Sequence, residues 1–114
     1  MKLLTPLEAA RGAVTLNAEK PATAILLETP DVRLVVFRLK PGQVVPSHRS
    51  TSTVMLTVLA GTGVLSGEEN GAPCERACTV GDVIAYAPDE LHAMRATNDE
   101  LLLLATITPR PGSR

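Results

Sequence analysis

Apolar residues in this chain come in short runs, cut by glycine, proline and asparagine or aspartate at intervals of roughly 8–12 residues. Only the start reads otherwise. Thr5-Pro6-Leu7-Glu8 opens a short helix: Thr5 can cap, Pro6 suits the first helical position, and Glu8 can reach back to the cap amide. Gly12 closes it after one or two turns, leaving a helix outside the main body. From there the pattern predicts a weak strand at residues 13–18, then strands at 22–28 and 32–39, separated by Thr29-Pro30-Asp31. Lys40-Pro41-Gly42 breaks the second of these. Further strands are predicted at 54–60, 64–69, 74–80, 83–87, 92–97 and 101–108. Gly61-Thr62-Gly63 reads as a tight turn between two of them. Asn70-Gly71 is a strong hairpin signal, because both residues tolerate positive φ. Residues 109–114 read as a flexible tail. About eight to eleven strands and no long helical period define an all-β sandwich or barrel.

Three runs do not alternate as a sheet with one wet face should: Ala24-Ile25-Leu26-Leu27, Val35-Val36 and Leu101 to Leu104. Apolar character on both faces implies that part of the outer surface is covered, most simply by a second copy of the chain. A homodimer is therefore expected, with exchange of the strand at 22–27 as one way to build it.

Composition narrows the class. A chain of 114 residues has room for a single domain that folds without a metal or disulfide. Aromatic residues are 2% of the chain, Phe37 and Tyr86, so the core must be aliphatic. Eleven basic against twelve acidic residues, with no basic block, argue against a nucleic-acid partner or an anionic membrane surface. No run approaches the eighteen or so apolar residues of a membrane span. Glu8 and Pro6 interrupt the first apolar stretch too early for a signal peptide, so a cytoplasmic location is expected. Cys74 and Cys78 on one continuous strand would stand about 13 Å apart, beyond bridging distance, and read as two small half-buried thiols.

The chemistry gathers in two stretches. GQVVPSHRSTSTVMLTVLAG, from Gly42 to Gly61, holds His48; GDVIAYAPDELH, from Gly81 to His92, holds the other histidine. Together with the strand pattern these resemble the cupins, small jelly-roll barrels. In the first cupin motif a glycine is followed after five residues by His-x-His, then after three or four by glutamate, and after six more by glycine. Gly42, His48-Arg49-Ser50, Val54 and Gly61 keep that spacing. In the second motif Gly81 and His92 hold their places, while Ala87, Asp89 and Ala96 stand where the family has proline, glycine and asparagine. The resemblance covers about residues 32–108 of a single domain spanning 1–114, and implies a cupin-type jelly roll.

In metal-binding cupins two histidines and a glutamate of the first motif join the histidine of the second around one metal. Here only His48 and His92 match. Ser50 and Val54 occupy the other two positions, and a valine cannot be a ligand. The resemblance thus implies no tightly held metal. A divalent transition metal (zinc, iron, manganese or nickel), if bound, would rest on His48 and His92, with Asp89 or Glu90 the nearest carboxylates. Strand parity places Ser50, Val54 and Leu56 on the face of His48, and Met94 and Ala96 on that of His92, with Arg95 outside. The pocket so defined is His48, Ser50, Val54, Leu56, His92 and Met94. Its aliphatic walls favour a metal-free cupin that binds a small molecule. The alternatives are an oxygenase or isomerase with a reduced metal-ligand set, a metal-free acid–base enzyme using His48 or His92, and a purely structural protein. The bland reading of both histidines is hydrogen-bonded residues at a barrel rim.

Overall fold

The computed structural model describes residues 1–112. Helix α1 is Pro6–Gly12, followed by β1 (Ala22–Glu28), β2 (Arg33–Leu39), β3 (Val44–His48), β4 (Thr53–Glu69), β5 (Ala72–Thr79), β6 (Val83–Tyr86) and β7 (His92–Thr108). Every pairing is antiparallel, in the order β1-β2-β7-β4-β5, with β3 added to β7 and β6 to β4.

Two strands of 17 residues, β4 and β7, explain how this becomes a closed body. The first half of β4 pairs with the second half of β7 (Val54 with Ile107, Val58 with Leu103) in a sheet that also holds β2, β1 and β6. The second half of β4 pairs with the first half of β7 (Gly63 with Ala96, Leu65 with Met94) in a sheet that holds β3 and β5. Each long strand bends from one half-sheet into the other, the arrangement of a jelly roll. Between the half-sheets, the alternate residues Val54, Leu56 and Val58 of β4 meet Leu101, Leu103 and Ala105 of β7 in an almost wholly aliphatic core. Full burial of each leucine or valine contributes about 1.5–3 kcal/mol relative to exposure.

Seven strands, not eight to eleven, are found among the described residues. Gly61-Thr62-Gly63 is not a turn: β4 runs through it, and the register with β7 breaks there, passing from Gly61 opposite Leu101 to Gly63 opposite Ala96. Gly61 has φ +81°, and a Cβ at that position would collide with the Glu100 carbonyl. The two glycines are where the strand bends and its backbone crowds β7. Residues 92–97 and 101–108 likewise form one strand. Residues 13–18, expected as a strand, are irregular. Asn17 and Thr15 bond locally, and Gln43 holds the segment by donating to the Ala18 carbonyl. Asn70-Gly71 makes the expected two-residue hairpin, with φ of 52° and 79°.

Helix α1 starts at Pro6 as expected, but the Thr5 side chain makes no cap bond; its carbonyl accepts the Ala9 N–H at 3.0 Å. The helix covers one part of the outer surface. Ala10 packs with Val36 and Leu102, flanked by Leu26 and Leu104. Arg38 pins the far end, donating to the Arg11 carbonyl at 2.7 Å while paired with Glu100. Much of the apolar outer face therefore meets the chain's own helix. Of the expected tail, Pro109 accepts a hydrogen bond from buried Ser52 at 2.6 Å, so this part is held to the barrel. Residues 113 and 114 lie outside the described residues. No helix is long and apolar enough to cross a membrane.

Candidate functional site

The site is built where β3 meets the start of β7. Sequence pattern did not mark β3, because Pro46 lacks an amide proton and the run Pro46-Ser47-His48 is polar. Both tolerances belong to an edge strand, and β3 pairs with β7 alone. A register shift between Val45 and His48 restores the pairing so that His48 lies directly opposite His92. Their rings stand 4.0 Å apart, edge to face at 62°.

Both imidazoles have one nitrogen committed. His48 Nδ1 lies 2.9 Å from the Pro46 carbonyl, and His92 Nδ1 lies 3.1 Å from the Glu90 carbonyl. A carbonyl oxygen can only accept, so each Nδ1 carries the proton. In the neutral ring this leaves Nε2 with a free lone pair. His92 is only 3% exposed. Burial pushes its pKa below the ordinary imidazole value, and nearby His48 adds to this, against opposing contributions from Glu90. His92 is a neutral base in the fold.

Tyr86 was not among the residues singled out by sequence, yet its ring stacks on His92 at 4.7 Å and 29°. β6 carries it to the position opposite Val54. Its hydroxyl donates to the Ser66 carbonyl at 2.9 Å, and burial, with the charge of Glu90, pushes its pKa up to about 12. The phenol is fixed as a neutral donor. Gly67 makes room for it, since a Cβ there would come within 2.9 Å of the Tyr86 ring.

All six residues expected at the pocket, His48, Ser50, Val54, Leu56, His92 and Met94, line one cavity of about 430 Å³. Phe37, Arg49, Thr51, Ala105, Ile107 and Pro111 complete it. These six come from β2, the second half of β7 and the chain beyond it, or stand next to the predicted residues. Cross-strand register, which pairs Val54 with Ile107 and Leu56 with Ala105, is the signal that would have found two of them. The floor is buried (Leu56, Met94, Ala105), whereas His48, Arg49 and Thr51 are exposed and mark the mouth.

Neither expected carboxylate reaches the imidazoles as a ligand. Glu90 accepts the Ala87 N–H at 3.0 Å with one oxygen and the Glu68 N–H at 2.9 Å with the other, tying the loop before β7 to the end of β4. Asp89 is a conformational residue. It has φ +65° at the place where the cupin motif has glycine, and its carbonyl accepts from Arg49 at 2.6 Å. The metal that cupins of this kind hold does not fit these residues. Two imidazoles, a hydroxyl and a hydrocarbon line the cavity, and no group of three or more histidine, cysteine, aspartate or glutamate side chains comes together among the described residues. Cys74 and Cys78 are free thiols, half-buried and buried.

Two long strands shared between two half-sheets, with a histidine from each motif at one end of the barrel, define the double-stranded β-helix of the cupins. The chain has that fold. It is similar over 100% of its length to an uncharacterised double-stranded β-helix protein of Klebsiella pneumoniae (94% of that chain, 19% identity, TM-score 0.81). It is also similar over 96% of its length to KdgF of a Halomonas species (95% of that chain, 18% identity, TM-score 0.78). An RmlC-like cupin of Desulfovibrio desulfuricans matches 86% of the chain with 91% of its own, at 26% identity and a TM-score of 0.71. No family model and no curated protein matches the sequence. Identities of 18–19% carry the fold alone.

Proposed function

We propose that this protein binds a small molecule in the barrel cavity and does so without a tightly held metal. The observation that carries the reading is the make-up of that cavity. Its floor is aliphatic, its mouth is polar, and the two positions that would complete a metal set are Ser50 and Val54. A volume of about 430 Å³ is in the usual range for a small-ligand pocket. Burying a dication beside Val54 without a carboxylate would leave its charge uncompensated in a low-dielectric site. The pair of free thiols fits a reducing compartment, and we place the protein in the cytoplasm.

Elemental analysis of protein purified without added metal tests the proposal. The expected result is far less than one zinc, iron, manganese or nickel per chain. The double variant Ser50→His, Val54→Glu restores the cupin pattern at matched positions and is expected to gain a metal. If the parent carries about one metal per chain and His48→Ala removes it, the metal-free reading is wrong. The oxygenase or isomerase with a reduced ligand set then replaces it.

A further inference from the structure

We infer that the ligand class of this cavity is a small monocarboxylic acid with an apolar body, held carboxylate outward at the mouth; the inference rests on the binding role proposed above. Among the described residues lining the cavity there is no aspartate, glutamate or lysine, and one permanent cation, Arg49. The segment from His48 to Thr51 supplies every polar group of the mouth. Their hydrogen-bonding capacity is only partly used. Arg49 gives Nη1 to the Asp89 carbonyl and lies 3.9 Å from Glu68, at the outer limit of an ion pair. Its Nε and Nη2 have no hydrogen-bond partner among the described residues. Ser50 Oγ accepts from the Ser52 amide at 3.1 Å, which leaves its own proton to donate outward.

Beyond the mouth, the floor offers hydrocarbon and the Met94 thioether, with His92 as its one strong polar group. A sugar would strand most of its hydroxyls there. An ammonium would meet Arg49 with no counter-charge on the lining. A phosphate monoester would bring about two charges to the single guanidinium of the lining. A carboxylate matches the planar fork of one arginine, and an alkyl or similar body matches the floor.

Three probes of equal length separate the terms: hexanoate, 1-hexanol and hexylamine, titrated by calorimetry at pH 7.5. Hexanoate is expected to bind at least about tenfold more tightly than hexanol, the effect of one charge-assisted hydrogen bond, and hexylamine most weakly. Arg49→Gln is expected to bring the ratio of hexanoate to hexanol affinity close to one. Ala105→Phe, which fills the floor, is expected to abolish binding of both. Equal affinities in the parent, or an unchanged ratio in Arg49→Gln, overturn the acid assignment while leaving the cavity as a binding site. If none of the three probes binds, or if Ala105→Phe leaves binding intact, the cavity reading itself falls. The comparison of probes on the parent protein decides the matter even if a variant fails to fold.

Discussion

Gly61 and Gly71 have nearly the same backbone conformation, φ +81° and +79°, and different surroundings. Replacing each with alanine therefore separates the cost of that conformation from the cost of contact. Gly71 sits in the hairpin between β4 and β5, and a Cβ there meets nothing within 4 Å. Gly71→Ala should cost about 1–2 kcal/mol, the penalty of an L-residue in the left-handed region. At Gly61 the same penalty applies, and the new Cβ is driven into the Glu100 carbonyl, in the strand against which β4 packs. Relief requires the bend of β4 to move away from β7, opening the pairs Ala60–Leu102 and Gly61–Leu101. Leu101 is fully buried, and overpacking of this kind adds about 1–3 kcal/mol. Gly61→Ala should thus cost about 2–5 kcal/mol, a large share of the roughly 5–15 kcal/mol of a typical domain. Urea unfolding of both variants, followed by circular dichroism with the m-value monitored, measures the difference. Equal losses at the two sites would show that the crossing of β4 and β7 is not tightly packed, and the argument for a bend fixed by glycine would fail.

Three further outcomes follow from the site and the surface. Because His92 has its pKa lowered by burial and by His48, with Tyr86 stacked on it and Glu90 partly opposing, the unfolded chain binds its proton first as pH falls. Stability should therefore drop as pH falls below about 6.5, by about 1.4 kcal/mol per unit of depression, and level off below the folded pKa. His92→Phe should flatten that segment, and a slope unchanged in the variant would refute the assignment. Glu90→Gln should lose about 1–3 kcal/mol in urea unfolding, since an amide NH₂ would face one of the two backbone N–H groups that the carboxylate now accepts; a loss below 0.5 kcal/mol, the threshold for an ordinary surface change, would mean the loop does not depend on it. The protein should be a homodimer, with Ile25 and Val83, each 59% exposed, as candidates for burial between copies. Light scattering at micromolar concentration giving the mass of one 12.0 kDa chain would refute that.

What could be read from the sequence, and what could not, divides along one physical line: sequence separation. Local signals carried through. Asn70-Gly71 makes its hairpin because two adjacent residues accept positive φ. Period-two alternation placed Val54 and Leu56 inward, and each is buried. The spacing of Gly42, His48, Gly81 and His92 brought together two strands that the structure sets in register. Signals that depend on what lies across the sheet were lost. Gly61-Thr62-Gly63 looks like a turn from its own composition; only the presence of Glu100 and Arg95 beside it shows why the strand has no side chains there. The four leucines from Leu101 looked like a surface awaiting a partner, but Leu102 meets Ala10 of a helix some ninety residues earlier. Tyr86 carries no motif, and its role follows from a stack on His92 that no spacing encodes. Glu90 is the sharpest case. Its place beside His92 made it a natural candidate ligand, yet both its oxygens are taken by backbone amides, one of them 22 residues away in β4. A carboxylate can serve a metal or these two backbone N–H groups, and leaving the part-buried Glu68 N–H unpaired would cost up to about 1–3 kcal/mol. The loop that positions His92 is therefore held by the same side chain that a metal would need, and the site is left with imidazoles, hydroxyls and one guanidinium.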